Sequence, residues 1–173
     1  NTEGFFFRAG YDYDNKIFGS VSYRRDASSR FHPDHRWGNF WSVGAAWIIN
    51  RESWFNAPVV NMLKIKASYG SQGNDAIGMY KYTDLYSVTN DGNDGISIMF
   101  GAKGNPNITW ETNANLNIGA EFGLWNDRLS GSLDFFYRKT SDMLFSVPVA
   151  PSMGYSSYYD NIGDMANYGI ELV

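Results

Sequence analysis

The chain has 173 residues, a formal net charge of −4 and no cysteine. That length suits one domain with a sizeable core. The missing thiols exclude disulfides and thiolate metal sites, and the acidic balance argues against nucleic acid, which needs a basic face. Mean hydropathy is −0.38 and no apolar run reaches the roughly 18 residues of a spanning helix. A transmembrane helix is excluded but a barrel is not, because a barrel's lumen face and loops dilute the average.

Aromatic residues make up 17% of the chain, beside 18 glycines and only 5 prolines. This suits an all-β protein and also the aromatic girdles of a membrane barrel. Asn1 opens without a basic or apolar leader, so a secretion signal has been removed or the chain is an internal piece.

Residues 5–13 alternate, with Phe5, Phe7, Ala9, Tyr11 and Tyr13 against Phe6, Arg8, Gly10 and Asp12. Successive strand side chains point to opposite faces, so the period of two predicts a strand. After a turn at Asp14-Asn15, residues 17–25 continue as Ile17, Gly19, Val21 and Tyr23 against Phe18, Ser20, Ser22 and Arg24. Residues 26–38 read as a polar loop. A third strand at 40–49 groups Trp41, Val43, Ala45, Trp47 and Ile49. Residues 50–61 hold Trp54 and Pro58 without alternation and read as a short helix or irregular corner. The strand at 63–69 turns Leu63, Ile65, Ala67 and Tyr69 one way and Lys64, Lys66 and Ser68 the other. Lysines at regular inward positions suit a wet lumen better than a dry core.

A long loop rich in Gly, Asn, Asp and Tyr is predicted for 71–108. Residues 115–124 and 129–138 then form the longest hairpin, joined at Trp125-Asn126-Asp127-Arg128. A further loop covers 141–166, and Tyr168, Ile170 and Leu172 open a seventh strand.

Alternation alone also fits a soluble sandwich. Two features favour a barrel. The hairpin strands match the roughly 9–11 residues of a membrane crossing better than the about five or six of a globular strand. The connections also alternate short and long, as outer-membrane barrels require. The predicted fold is therefore all-β: a partial transmembrane antiparallel β-barrel of about seven strands with long extracellular loops. Barrels of this type have even strand numbers of about eight or more, so the chain reads as a fragment of a single barrel domain. The competing reading is a soluble β-sandwich carbohydrate-binding module.

Six segments carry a resemblance to one family. They are S-Y-R-R-D-A-S-S-R-F at 22–31, R-W-G-N-F-W-S-V-G-A-A-W at 36–47 and L-K-I-K-A-S-Y-G-S-Q-G-N at 63–74. The others are N-P-N-I-T-W-E-T at 105–112, N-I-G-A-E-F-G-L-W-N-D-R-L-S-G-S-L-D-F-F-Y-R-K-T at 117–140 and N-I-G-D-M-A-N-Y-G-I-E-L at 161–172. In this order they resemble the SusC/RagA-like TonB-dependent outer-membrane transporters of Bacteroidetes-type bacteria. The resemblance implies part of the C-terminal half of a barrel of about 22 strands in the bacterial outer membrane. It implies energised import of a large nutrient, an oligosaccharide or oligopeptide, rather than passage through a passive porin. It further implies a plug domain and a TonB-contacting N-terminal segment, neither within these residues, coupling to TonB-ExbB-ExbD. A SusD-like surface lipoprotein would act as a lid, and the corner at 50–61 would face the periplasm.

Two sets of residues are candidates for function. Loop tyrosines Tyr80, Tyr82, Tyr86, Tyr155, Tyr158 and Tyr159 are predicted to touch ligand or lid, since aromatic faces stack on sugars and peptides and loops carry function. The bland alternative is that they pack the loops together. Inward Arg8, Arg24, Lys64, Lys66, Glu121, Asp134 and Arg138 are predicted to line the lumen, with mutual pairing or bracing of a plug as the alternative. His32, Asp34 and His35 are too few ligands for a zinc site, and no Glu follows at a zincin spacing. Residues 90–95 look faintly like a calcium loop but lack the EF-hand order, and a polar turn is expected. No nucleophile–base pair or catalytic carboxylate pair stands out, so no enzyme, cofactor or metal is predicted.

Overall fold

The computed structural model describes residues 1–90, 92 and 95–173. In chain order its strands are β1 (Thr2–Tyr13), β2 (Ile17–Ser28), β3 (Trp37–Ile48), β4 (Val60–Asn74), β5 (Leu85–Asn90), β6 (Ile96–Ala102), β7 (Glu111–Leu124), β8 (Leu129–Ser141), β9 (Leu144–Pro148), β10 (Ser157–Asn161) and β11 (Met165–Leu172). Seven of them make one sheet in the order β1-β2-β3-β4-β7-β8-β11, every pair antiparallel.

All seven predicted strands are present, and each continues past its predicted limit at the end carrying the long loops. Thus β4 continues to Asn74 and β7 begins at Glu111, where the side chains read Gly-Ser-Gln-Gly-Asn and Glu-Thr-Asn-Ala. Alternation fades there because small and polar residues occupy both faces. The ladder persists because backbone N–H and C=O groups still need partners.

Register explains the two faces. Paired residues of an antiparallel sheet share a face, so side chains can be followed across strands. Tyr11, Gly19, Ala45, Ala67, Ile118, Phe135 and Ile170 form one unbroken row over all seven strands. The next row is Tyr13, Ile17, Trp47, Ile65, Ala120, Leu133 and Leu172. This apolar face is uncovered, with Ile118 46% and Ile170 72% exposed. Aromatic residues gather toward its two ends. At the loop end Phe5 stacks on Trp37 with ring centroids 6.4 Å apart, Trp41 meets Tyr69 edge-on, and the Tyr23 hydroxyl donates to Asn39. At the turn end Trp47 packs on Trp54 and donates its indole N–H to Glu52. Rings with an apolar body and a bonded polar tip suit a membrane–water interface.

The short connections all fall at one end of the sheet. Asp14 and Asn15 take φ of 54° and 52°, a left-handed pair that matches strand twist and that Asp and Asn tolerate. The corner predicted for 50–61 is a single 3-10 turn, Ile49–Arg51, followed by irregular chain up to β4.

The long connections differ from expectation. Residues 71–108 and 141–166 are not plain loops. The first carries the β5–β6 hairpin and the second the β9–β10 hairpin, each a separate two-stranded sheet. Their strands of 5–7 residues are too short, and too mixed in side-chain type, to signal a period of two.

Candidate functional site

The face opposite the apolar rows holds every inward residue predicted above, and register sets their order. One row on that face is Arg8, Ser22, Ser42, Gly70, Asn115, Arg138 and Asn167. Another is Asp12, Phe18, Ala46, Lys66, Gly119, Asp134 and Glu171. Lys64 and Glu121 pair on the next.

Four of the seven candidates form one network. Lys66 Nζ lies 3.1 Å from Glu121 Oε1 and 3.0 Å from Asp134 Oδ1, and Lys64 Nζ lies 3.3 Å from Glu121 Oε2. The Lys66–Asp134 bridge spans from β4 to β8 over the intervening strand, and it can do so because β7 places Gly119 beneath it. A β-carbon there would collide with Asp134 Oδ1 and come within 2.6 Å of Lys66 Cε. Two cations and two carboxylates leave this patch neutral. Arg24 is likewise taken up, its Nε 2.6 Å from Asp26 Oδ2. Arg138 differs: its Nε donates to the neutral Asn115 carboxamide at 2.8 Å. Arg8 stands on the edge strand β1.

Above the wall the loops share a small core of Phe31, Phe40, Ile77, Ile108 and Trp110, with Phe31 and Ile108 fully buried. Phe40 points inward from β3, and its ring packs between Gly38, Gly73 and the indole of Trp110, 5.3 Å away. Trp110 donates its indole N–H to Arg36 O at 2.9 Å. Ser28 Oγ and Arg30 Nη1 donate to Asp75, tying the 26–38 loop to the 71–108 loop.

The six tyrosines divide. Tyr82 and Tyr159 pack against this core, and Lys81 Nζ sits 5.1 Å from the Tyr159 ring centre. Tyr86 and Tyr155 each meet Phe100 edge-on, at 5.5 and 6.0 Å, joining the β5–β6 hairpin to the 141–166 loop. Tyr158 is half-buried on β10, and Tyr80 is exposed on a left-handed backbone with φ of 62°. Only Tyr80 and Tyr86 are strongly exposed, at 55% and 61%.

Several residues that hold this mouth were given no role in the sequence. Asn161 accepts from Thr109 N–H and donates to Thr109 O and Asp142 O. Asn105 donates to Tyr159 O and Asp160, and accepts from Asn107 N–H. Glu111 accepts from Asn74 and from Leu144 N–H. The last Asn105 bond is a local Asx turn next to Pro106, a legible signal. The others join chain segments 19 to 55 residues apart and leave no local trace. Inward Gln72, Asn117 and Asn167 are uncharged, so no charge marks them in the sequence.

His32 Nδ1 lies 3.3 Å from Asp34 Oδ2 within the turn Pro33–His35, and among the described residues no three metal-binding side chains converge. Of the residues considered for calcium, Asp91, Asn93 and Asp94 lie outside the described residues.

The family model for TonB dependent receptor-like β-barrels matches residues 1–173. The chain belongs to that family. It is 36% identical over 172 residues to the TonB-dependent receptor P26 of Formosa agariphila, covering 97% of this chain and 17% of that one. It is 34% identical over 177 residues to the TonB-dependent receptor SusC of Bacteroides thetaiotaomicron, covering 97% of this chain and 18% of that one. A solved structure of the RagAB peptide importer in its closed-closed state superposes with a TM-score of 0.92 at 36% identity, over 99% of this chain and 19% of that one. The chain therefore spans under a fifth of each of these relatives. As part of a TonB-dependent receptor barrel, the sheet is outer-membrane wall and its apolar rows face lipid. This overturns the soluble-sandwich reading, which needed a second sheet packed on those rows.

Proposed function

We propose that this chain is the wall and outer mouth of a TonB-dependent importer of large nutrients, oligosaccharides or oligopeptides. The observation that carries the reading is the sheet's two-sidedness in a family-matched barrel: unbroken apolar rows on one face, and polar residues with paired charges on the other. Residues 1–173 are one segment of a single barrel domain. A plug, with a segment that contacts TonB-ExbB-ExbD, lies elsewhere in the protein, and a SusD-like surface lipoprotein covers the mouth. Chemically the wall is a scaffold and not an enzyme, since its carboxylates Glu121 and Asp134 are held by lysines.

The loop core supports the mouth's part in this. It fixes Tyr82 and Tyr159 and leaves Tyr80 and Tyr86 exposed as contacts for ligand or lid. The candidates Arg8, Arg24, Lys64, Lys66, Glu121, Asp134 and Arg138 face the passage. The test is growth of the native bacterium on glycans or peptides as sole nutrient, with the full-length gene deleted and then restored. Loss of growth on one polymer class, recovered only when TonB is also functional, is the expected result. Unimpaired growth on every class sinks the reading.

A further inference from the structure

Most lumen cations of this wall are already committed to carboxylates: Arg24 to Asp26, Lys64 to Glu121, and Lys66 to both Glu121 and Asp134. Arg138 is not. Both strands beside it are present, β7 and β11, yet among the described residues its partner is the neutral Asn115 carboxamide, bonded through Nε at 2.8 Å. That single bond orients the guanidinium and leaves its terminal N–H groups exposed. Around it the wall opens into a hollow of about 600 Å³, lined by Gln72, Asn115, Asn117, Asn167 and Glu171 beside Arg138. The carboxamides of Gln72, Asn117 and Asn167 are exposed.

We infer that Arg138 and these carboxamides form a subsite that selects solutes bearing a carboxylate. A planar guanidinium pairs with a carboxylate through two parallel N–H···O bonds, and such charge-assisted bonds are about twice as strong as neutral ones. Asn115 pre-aims the fork, which lowers the ordering cost of binding. Gln72, Asn117 and Asn167 each offer both a donor and an acceptor for the neutral amides or hydroxyls that flank a carboxylate in a peptide or an acidic sugar. Glu171 lies in the same hollow, in register with Asp134 rather than Arg138. It opposes an anion there and limits affinity, so the solute can leave.

This inference rests on the importer reading and is tested in the full-length protein. Two matched pairs of probes are titrated: a pentapeptide with a free C-terminus against its C-terminal amide, and a pentameric oligogalacturonide against its methyl ester. The peptide and glycan pairs distinguish the two sources of a carboxylate. The wild-type protein is expected to prefer the carboxylate member of at least one pair. Arg138→Gln should weaken that member at least about tenfold while leaving its neutral counterpart unchanged. Arg138→Lys should retain part of the preference, and Glu171→Gln should preserve or strengthen it. Heat-modifiable migration on gels confirms that each variant barrel is folded.

The subsite is overturned if Arg138→Gln weakens both members of a pair equally, which is the result if Arg138 braces the plug. It is also overturned if the wild-type protein prefers no carboxylate probe. Loss of the importer reading is seen separately, as unimpaired growth of the deletion strain, and does not depend on Arg138.

Discussion

At the residue scale the wall works through glycines that make room for larger neighbours. Gly73 is one, at the loop end of β4 against the buried ring of Phe40. A β-carbon there would come within 2.7 Å of Phe40 Cε2, and that ring is also held by Gly38 and Trp110. The ring has nowhere to move, so Gly73→Ala should cost about 1–3 kcal/mol by overpacking. Gly19 is the control, since a β-carbon there meets nothing within 4 Å. Thermal unfolding of the detergent-solubilised full-length protein should show Gly73→Ala lowered and Gly19→Ala nearly unchanged. The period of two was legible at Gly19, but Gly73 falls within the loop predicted for 71–108, and neither its strand nor its tight packing was legible. That packing depends on a ring 33 positions earlier in the chain, brought opposite only by strand order.

At the element scale the loops have their own fasteners. Asp84 closes the base of the β5–β6 hairpin. It accepts from Gly104 N–H at 2.8 Å and lies 3.1 Å from Lys103 Nζ. The Gly104 bond first, and then Lys103, hold its carboxyl below the ordinary value of 3.8. A carboxyl depressed on folding contributes stability that is present above its ordinary value and is lost as pH falls through the lowered one. The hairpin should therefore loosen only in acid below about pH 4. Hydrogen exchange at residues 85–102, corrected for intrinsic rates, should show protection falling in that window. Asp84→Asn should be less protected at neutral pH and should lose the acid dependence.

At the scale of the whole molecule, neighbouring positions live in different solvents. Ile118 and Asn117 are consecutive on β7, the first in a lipid-facing row and the second on the lumen. An arginine at Ile118 would place charge near the middle of the apolar band, at a cost of about 2–4 kcal/mol. An arginine at Asn117 would meet water, and its cost should stay within about 0.5 kcal/mol. Urea unfolding of the full-length protein in lipid vesicles separates the two. Equal destabilisation would mean that the faces have been assigned wrongly.

The strands and their two faces belong to the sequence by itself, because a side-chain period of two against lipid and water is written locally and extends over each crossing. The alternation of short and long connections is equally local. What only the tertiary structure decided is who meets whom. Register placed Gly119 under the Lys66–Asp134 bridge, consumed Lys64 and Lys66 in ion pairs, and left Arg138 with a neutral partner. The core of Phe31, Ile108 and Trp110 and the bonds that tie the loops together were invisible for the same reason. Their order comes from contacts between residues far apart in the chain, such as Asn161 with Thr109, and no short-range pattern records a partner dozens of residues away.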